Sequence, residues 1–111
     1  MMAGFCRVVG DSMEPTIRAG TYVWFADLRV LGLPVGKIYV FRHSELGMMV
    51  KRLQGKNGER YIFAGDNPLS IRPEEIGLVD KRDIKGQVIF SFAEGGGIQF
   101  HCCSANHVLA K

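Results

Sequence analysis

Two short stretches carry side chains that could do chemistry together. Residues 10–16 read G-D-S-M-E-P-T, and residues 48–53 read M-M-V-K-R-L. Pro15 fixes its own φ and disfavours helix at Glu14, which places Ser12 in an exposed turn instead of inside a helix. A serine in such a turn often does no more than satisfy nearby backbone groups. The second stretch changes that reading, because in an extended run Lys51 and Arg52 project to opposite faces and one of them must point inward. An inward lysine loses proton affinity, since burial penalises the ammonium, and its neutral amine can then take a proton from a serine hydroxyl. The pair meets the requirement for a Ser/Lys dyad. The plainer alternative is that Lys51 snorkels to water beside Arg52.

A third segment, Gly65-Asp66-Asn67 with Ser70 shortly after, completes an ordered set. In that order the motifs resemble the signal peptidase I family, and the chain is similar to the catalytic domain of LexA-type self-cleaving repressors, which share the fold and the Ser/Lys dyad. The likeness covers about residues 5–92 of a single peptidase domain, 1–111, and leaves 93–111 unassigned. It implies a mostly β fold of small, coiled antiparallel β-sheets, partly barrel-like. It also implies Ser12 as nucleophile and Lys51 as general base, with no cofactor and no metal. Gly10 stands where some relatives carry a hydroxyl that supports the oxyanion, and Ser70 is the candidate for the serine that orients the lysine. Val8, Met13, Ile17 and Val50 match substrate-binding positions, Met13 and Ile17 being equally readable as core. Asp66 and Asn67 match the residues that brace the loop. The family's following D-S-R is replaced by Ile71, Arg72, Pro73 and Glu74, and the interval to Ser70 is one residue shorter. His43 is a rival base, as in the endoplasmic-reticulum members, but Lys51 sits where the family's base belongs.

The elements that must position these groups read as strands. Phe5 to Val9 delivers Gly10 and Ser12 to their turn, Tyr22 to Leu28 is rich in aromatic and β-branched residues, and Lys37 to Arg42 follows a loop with Gly32, Pro34 and Gly36. Met48 to Gln54 carries Lys51. Lys56-Asn57-Gly58 predicts a tight hairpin, with Asn57 and Gly58 both at positive φ, into a strand over Glu59 to Phe63. Ala64 to Gly77 demands a turn, Leu78 to Ile84 is a connection, and Gln87 to Phe92 is a closing strand. Trp24 reads as packed against the core. Glu94 to Gly97 is a glycine run, and Ile98 to Lys111 could be strand, helix or disorder.

Composition bounds the rest. The 111 residues allow one domain with a modest core, and 47% hydrophobic with 23% charged residues is ordinary for a globular chain. A net charge of +3, spread along the sequence, does not call for nucleic acid or a membrane surface. No run approaches the roughly 20 apolar residues of a membrane span, and the N-terminus lacks the pattern of a secretory signal. A soluble chain is therefore expected, either stand-alone or relieved of an anchor. Three cysteines, with Cys102 and Cys103 adjacent, make no disulfide framework and suit a reducing cytoplasm. His101, Cys102, Cys103 and His107 match no usual zinc spacing.

The expectation is a serine endopeptidase that cuts after small apolar residues, as in Ala-x-Ala, to process a partner protein. Soluble short forms of the family resemble proteases that trim the propeptide of nickel superoxide dismutase. The alternative is a LexA-like regulatory domain that cuts itself and forms a homodimer, and a third is a binding relative without catalysis. Ala3-Gly4 mimics the repressor cleavage bond, but eight residues at about 3.3 Å each put it some 26 Å from Ser12, which disfavours cleavage in cis.

Overall fold

Residues 38–41 read I-Y-V-F, a short unbroken apolar run, and such runs form strands that are buried on both faces. In the computed structural model, which describes residues 3–93 and 95–101, all four are buried. They lie in β3 (Ile38–His43), between β4 (Gly47–Asn57) and β7 (Ile84–Phe92). The remaining strands are β1 (Ala3–Arg7), β2 (Tyr22–Ala26), β5 (Arg60–Ala64), β6 (Val79–Asp80) and β8 (Ile98–Phe100). All pair antiparallel in one sheet of order β1-β2-β7-β3-β4-β5-β6, and β8 adds to β7 beyond the end of β3. The mostly β, antiparallel expectation holds. The sheet is coiled at three register shifts but not closed, since β1 and β6 remain its two edges.

Because β3 is buried on both sides, it separates two apolar clusters. Tyr39 and Phe41 join Leu53, Phe63 and Ile84 on one side, covered by a single-turn helix α1 (Pro73–Ile76) through Ile76 and by β6 through Val79. Ile38 and Val40 join Val23 and Val88 on the other, covered by Val8, Met13 and Ile17. The Ser12 turn is thus the cap of the second cluster. Its apolar residues hold it against the sheet.

The register differs from the sequence reading in particular places. β1 spans Ala3–Arg7, because the Val8 N–H turns to the Thr21 carbonyl and the Val8 carbonyl accepts from Gly20 as the chain enters the turn. β2 ends at Ala26, where Asp27 accepts hydrogen bonds from the Arg29 backbone and guanidinium and starts a short 3-10 turn. In the β4–β5 hairpin Asn57 pairs with Arg60, so the loop is Gly58-Glu59, one residue later than expected, and Gly58 alone takes a positive φ, +67°. The loop after Ala64 contains α1, which turn signals alone did not reveal. Trp24 belongs to neither cluster. It is 38% exposed and stacks between Phe5 of β1 at 5.6 Å and Phe90 of β7 at 5.9 Å, on an outer aromatic ladder that continues to Phe100.

Phe63 is fully buried, 4.4 Å from the Phe41 ring and edge-on to Tyr39. Phe63→Ala is expected to cost about 3–5 kcal/mol of stability, read as a lower urea midpoint, because the surrounding rings cannot close the void.

Candidate active site

β4 presents two cations in succession, and the fold treats them differently. Lys51, paired in register with Tyr39, is 3% exposed, whereas Arg52 reaches the surface on the other side of the strand. Burial alone pushes the Lys51 amine below its ordinary value, and no carboxylate opposes the effect. Lys51 and Ser12 border one cleft of about 260 Å³, together with Val8, Val40 and Val50. Cys6 and Met49 add sulfur-bearing surface to the same cleft, and the exposed Leu46 and Met48 form its rim. The snorkelling alternative for Lys51 does not occur.

The turn that carries Ser12 is fixed from within and from outside. Inside it, the Glu14 N–H donates to the Asp11 carbonyl at 3.1 Å and the Ile17 N–H to the Met13 carbonyl at 2.9 Å. From outside, Asn67 holds the carbonyls on either side of the Asp11–Ser12 bond: its N–H donates to Ser12 O at 2.9 Å, and its side-chain Nδ2 donates to Asp11 O at 3.0 Å. No backbone carbonyl among the described residues accepts from the Ser12 N–H. A second tie runs through Asp66, whose carboxylate accepts from Arg52 Nε at 2.8 Å, Arg52 Nη2 at 2.7 Å and the Thr16 hydroxyl at 2.5 Å. Arg52 Nη1 also donates to the Gly36 carbonyl at 2.6 Å. One strand therefore carries Lys51 to the cleft and, one residue later, the anchor of the Ser12 turn.

Gly65 is required by this packing. A Cβ there would lie 2.5 Å from Ser12 O and 2.5 Å from Ser70 Oγ, closer than real contacts allow. Ser70 Oγ and Ser12 O thus lie on the same side of Gly65; the Ser70 N–H donates to the Asn67 carbonyl at 2.9 Å, and Ser70 is not among the residues that border the cleft of Lys51. Met13 and Ile17, open to either reading from sequence, are core and do not border that cleft. Gly10 is exposed with φ +83° and has no neighbour where a side chain would project. His43 is committed elsewhere: its Nδ1 accepts from the Glu45 and Leu46 N–H groups, so Nε2–H donates to the Ile76 carbonyl at 2.9 Å. Cys102, Cys103 and His107 lie outside the described residues, and among the described residues no cluster of metal-ligating side chains occurs. Arg52 and Thr16 were missed as anchors, although their places beside Lys51 and Pro15 in the two motifs were a signal.

The Arg52 guanidinium, aided by Thr16, holds the Asp66 carboxyl below its ordinary value of 3.8 against the opposing effect of burial. A lowered folded-state pKa means that this contribution is complete above the unfolded value and is lost as pH falls through the folded one. Asp66→Asn is expected to cost about 2 kcal/mol at neutral pH and to flatten the loss of stability below about pH 4, measured by urea unfolding across pH.

No curated protein matches the chain. The family described as Peptidase S24-like matches residues 2–89, which includes β1 to β6, most of β7, the Ser12 turn, Lys51 and the Asp66 loop. No helix among the described residues is long and apolar enough to cross a membrane. With a match over most of its length, and with an antiparallel β fold that brings its serine and lysine motifs to one cleft, the chain belongs to the Peptidase S24-like family.

Proposed function

We propose that the chain is a serine endopeptidase with Ser12 as nucleophile and Lys51 as general base. The observation that carries this reading is a buried lysine without an acidic partner, bordering the same cleft as the serine of a rigidly held turn. An amine without a carboxylate partner, on a side chain buried beside the serine's cleft, suits a neutral base. The Lys51 amine takes the Ser12 Oγ proton as Oγ bonds to the substrate carbonyl carbon. The resulting ammonium then protonates the departing amine as the C–N bond breaks, and water repeats the sequence to release the acyl group. The Ser12 N–H, free of backbone acceptors, supplies oxyanion stabilisation, a role worth roughly 3 kcal/mol for one good donor. Asn67 supports it indirectly by holding the two adjacent carbonyls away from the developing charge.

The apolar lining from Val8, Val40 and Val50 suits extended peptide with small apolar side chains, the substrate class implied by the family resemblance. Processing of a partner protein is favoured over cleavage of the chain itself. Ala3 and Gly4 are held in the β1–β2 ladder opposite Ala26 and Phe25, so their peptide bond would have to leave the sheet to be cut.

Ser12→Ala is expected to abolish cleavage of an Ala-x-Ala peptide panel, followed by mass spectrometry, while the fold persists. Lys51→Met should also abolish cleavage yet raise stability by about 1 kcal/mol at neutral pH, because it removes the desolvation cost of the amine without opening a large void; an active Lys51→Met protein would overturn the base assignment. Wild-type activity should rise with pH as Lys51 deprotonates, and reach its plateau below the ordinary lysine value of 10.5 because the shift is downward.

A further inference from the structure

The tip of the β3–β4 hairpin borders the cleft of Ser12 and Lys51 through Leu46. The loop Ser44–Leu46 lies between His43 and Gly47, which pair in register, and Gly47 takes φ +81°. One side chain ties this loop both to itself and to the rest of the fold. His43 Nδ1 accepts from the Glu45 and Leu46 N–H groups, both at 3.0 Å, and Nε2–H donates to the Ile76 carbonyl of α1 at 2.9 Å. The Leu46 backbone is thus held by direct hydrogen bonds to a ring that is fastened to the helix covering the first core. Yet the Leu46 side chain belongs to neither apolar cluster and is 50% exposed. Met48, two residues on, is likewise outside both clusters and 55% exposed.

We infer that Leu46 and Met48 form a subsite for a large apolar side chain of the peptide substrate, three to five residues from the scissile bond, and that His43 is the positioning residue that fixes it. The inference rests on the proposed roles of Ser12 and Lys51 and names a further determinant of what they cut. Met48 and Val50 share a face of β4 by alternation, and both border the cleft, so its apolar lining continues from Val50 through Met48 to Leu46. Met48 is three residues and Leu46 five residues from Lys51, which at about 3.3 Å per residue is about 10 Å and about 17 Å. A peptide extended along the cleft advances by the same rise, which sets the distance of the recognised side chain from the bond cut. Two exposed apolar groups held outside the core gain apolar contact only when a ligand covers them. The unbranched Met48 side chain adapts to leucine, methionine or phenylalanine on the substrate. Alanine at that position reaches too little of this surface to gain from it.

The test uses the full chain and peptides with one Ala-x-Ala core and alanine elsewhere, in which leucine replaces alanine at one position at a time on either side of the cut. Cleavage is followed by mass spectrometry, and kcat and KM are measured separately. For wild type, leucine at a position three to five residues from the cut is expected to raise kcat/KM about tenfold over alanine, through KM and not kcat. The leucine-to-alanine ratio within one variant cancels any change in its basal activity. That ratio should fall to about one in Leu46→Ser and in His43→Ala. His43→Asn, whose carboxamide oxygen can accept from the same two N–H groups, should restore most of it. A ratio near one for wild type at every position, or a preference that survives Leu46→Ser, overturns the subsite. A preference that survives His43→Ala, or that His43→Asn does not recover, overturns the role of His43. Wild type that cuts no peptide of the set overturns the dyad reading, and this inference with it.

Discussion

The bidentate pairing of Arg52 with Asp66 is the interaction on which the geometry of the cleft depends. It joins a strand in the middle of the sheet to the loop after β5, and through Thr16 that loop fastens a segment fifty residues earlier. Both partners are partly shielded, and each carboxylate oxygen has a donor, which separates this pair from the exposed ion pairs at Asp80 and Glu74. Pairs of the latter kind contribute little to stability. Because Arg52 adjoins Lys51 in the chain, any displacement of β4 moves the amine and the anchor of the serine turn together. The separation of the two proposed reacting groups is thereby insulated from flexing elsewhere in the sheet.

The doubly buried β3 explains how so short a chain can bury most of a lysine side chain that has no carboxylate partner. A small domain with one apolar face would struggle to bury enough surface to offset that cost. Here one strand serves two cores, and the serine turn closes the second through Met13 and Ile17. The same two residues that hold the turn down therefore contribute to the apolar surroundings of the cleft wall formed by Val8 and Val40. Stability and the proposed chemistry draw on one set of contacts, and they pull against each other at Lys51 alone.

Much of this was legible in the residues. The mostly β class followed from apolar runs and turn signals, and alternation at Lys51 and Arg52 required one of them to turn inward. What could not be read was which tertiary partner each polar group finds. Asp66 looks like a turn former in the sequence, and only the fold reveals that Arg52 meets it; nor does local sequence announce that Ser70 and Ser12 pack against the same face of Gly65. Trp24 was misjudged because an aromatic residue in a strand can be buried by a core or by other aromatics on an outer face, and local sequence does not distinguish the two. β8 stays one of three open readings in the sequence because a three-residue strand after a glycine run has almost no periodicity to detect.

The outer ladder of rings gives the molecule an internal reporter. Trp24 is the only tryptophan in the sequence, and its indole is sandwiched between a side chain from the N-terminal edge strand and one from the strand that supports β8. Indole emission shifts with the polarity around the ring. Peeling of the first strand, as an incoming peptide competed for that edge, would expose the ring to solvent and register as a colour change from a single fluorophore. The departure of a few residues at one margin of the sheet could thus be watched in solution without attaching a dye.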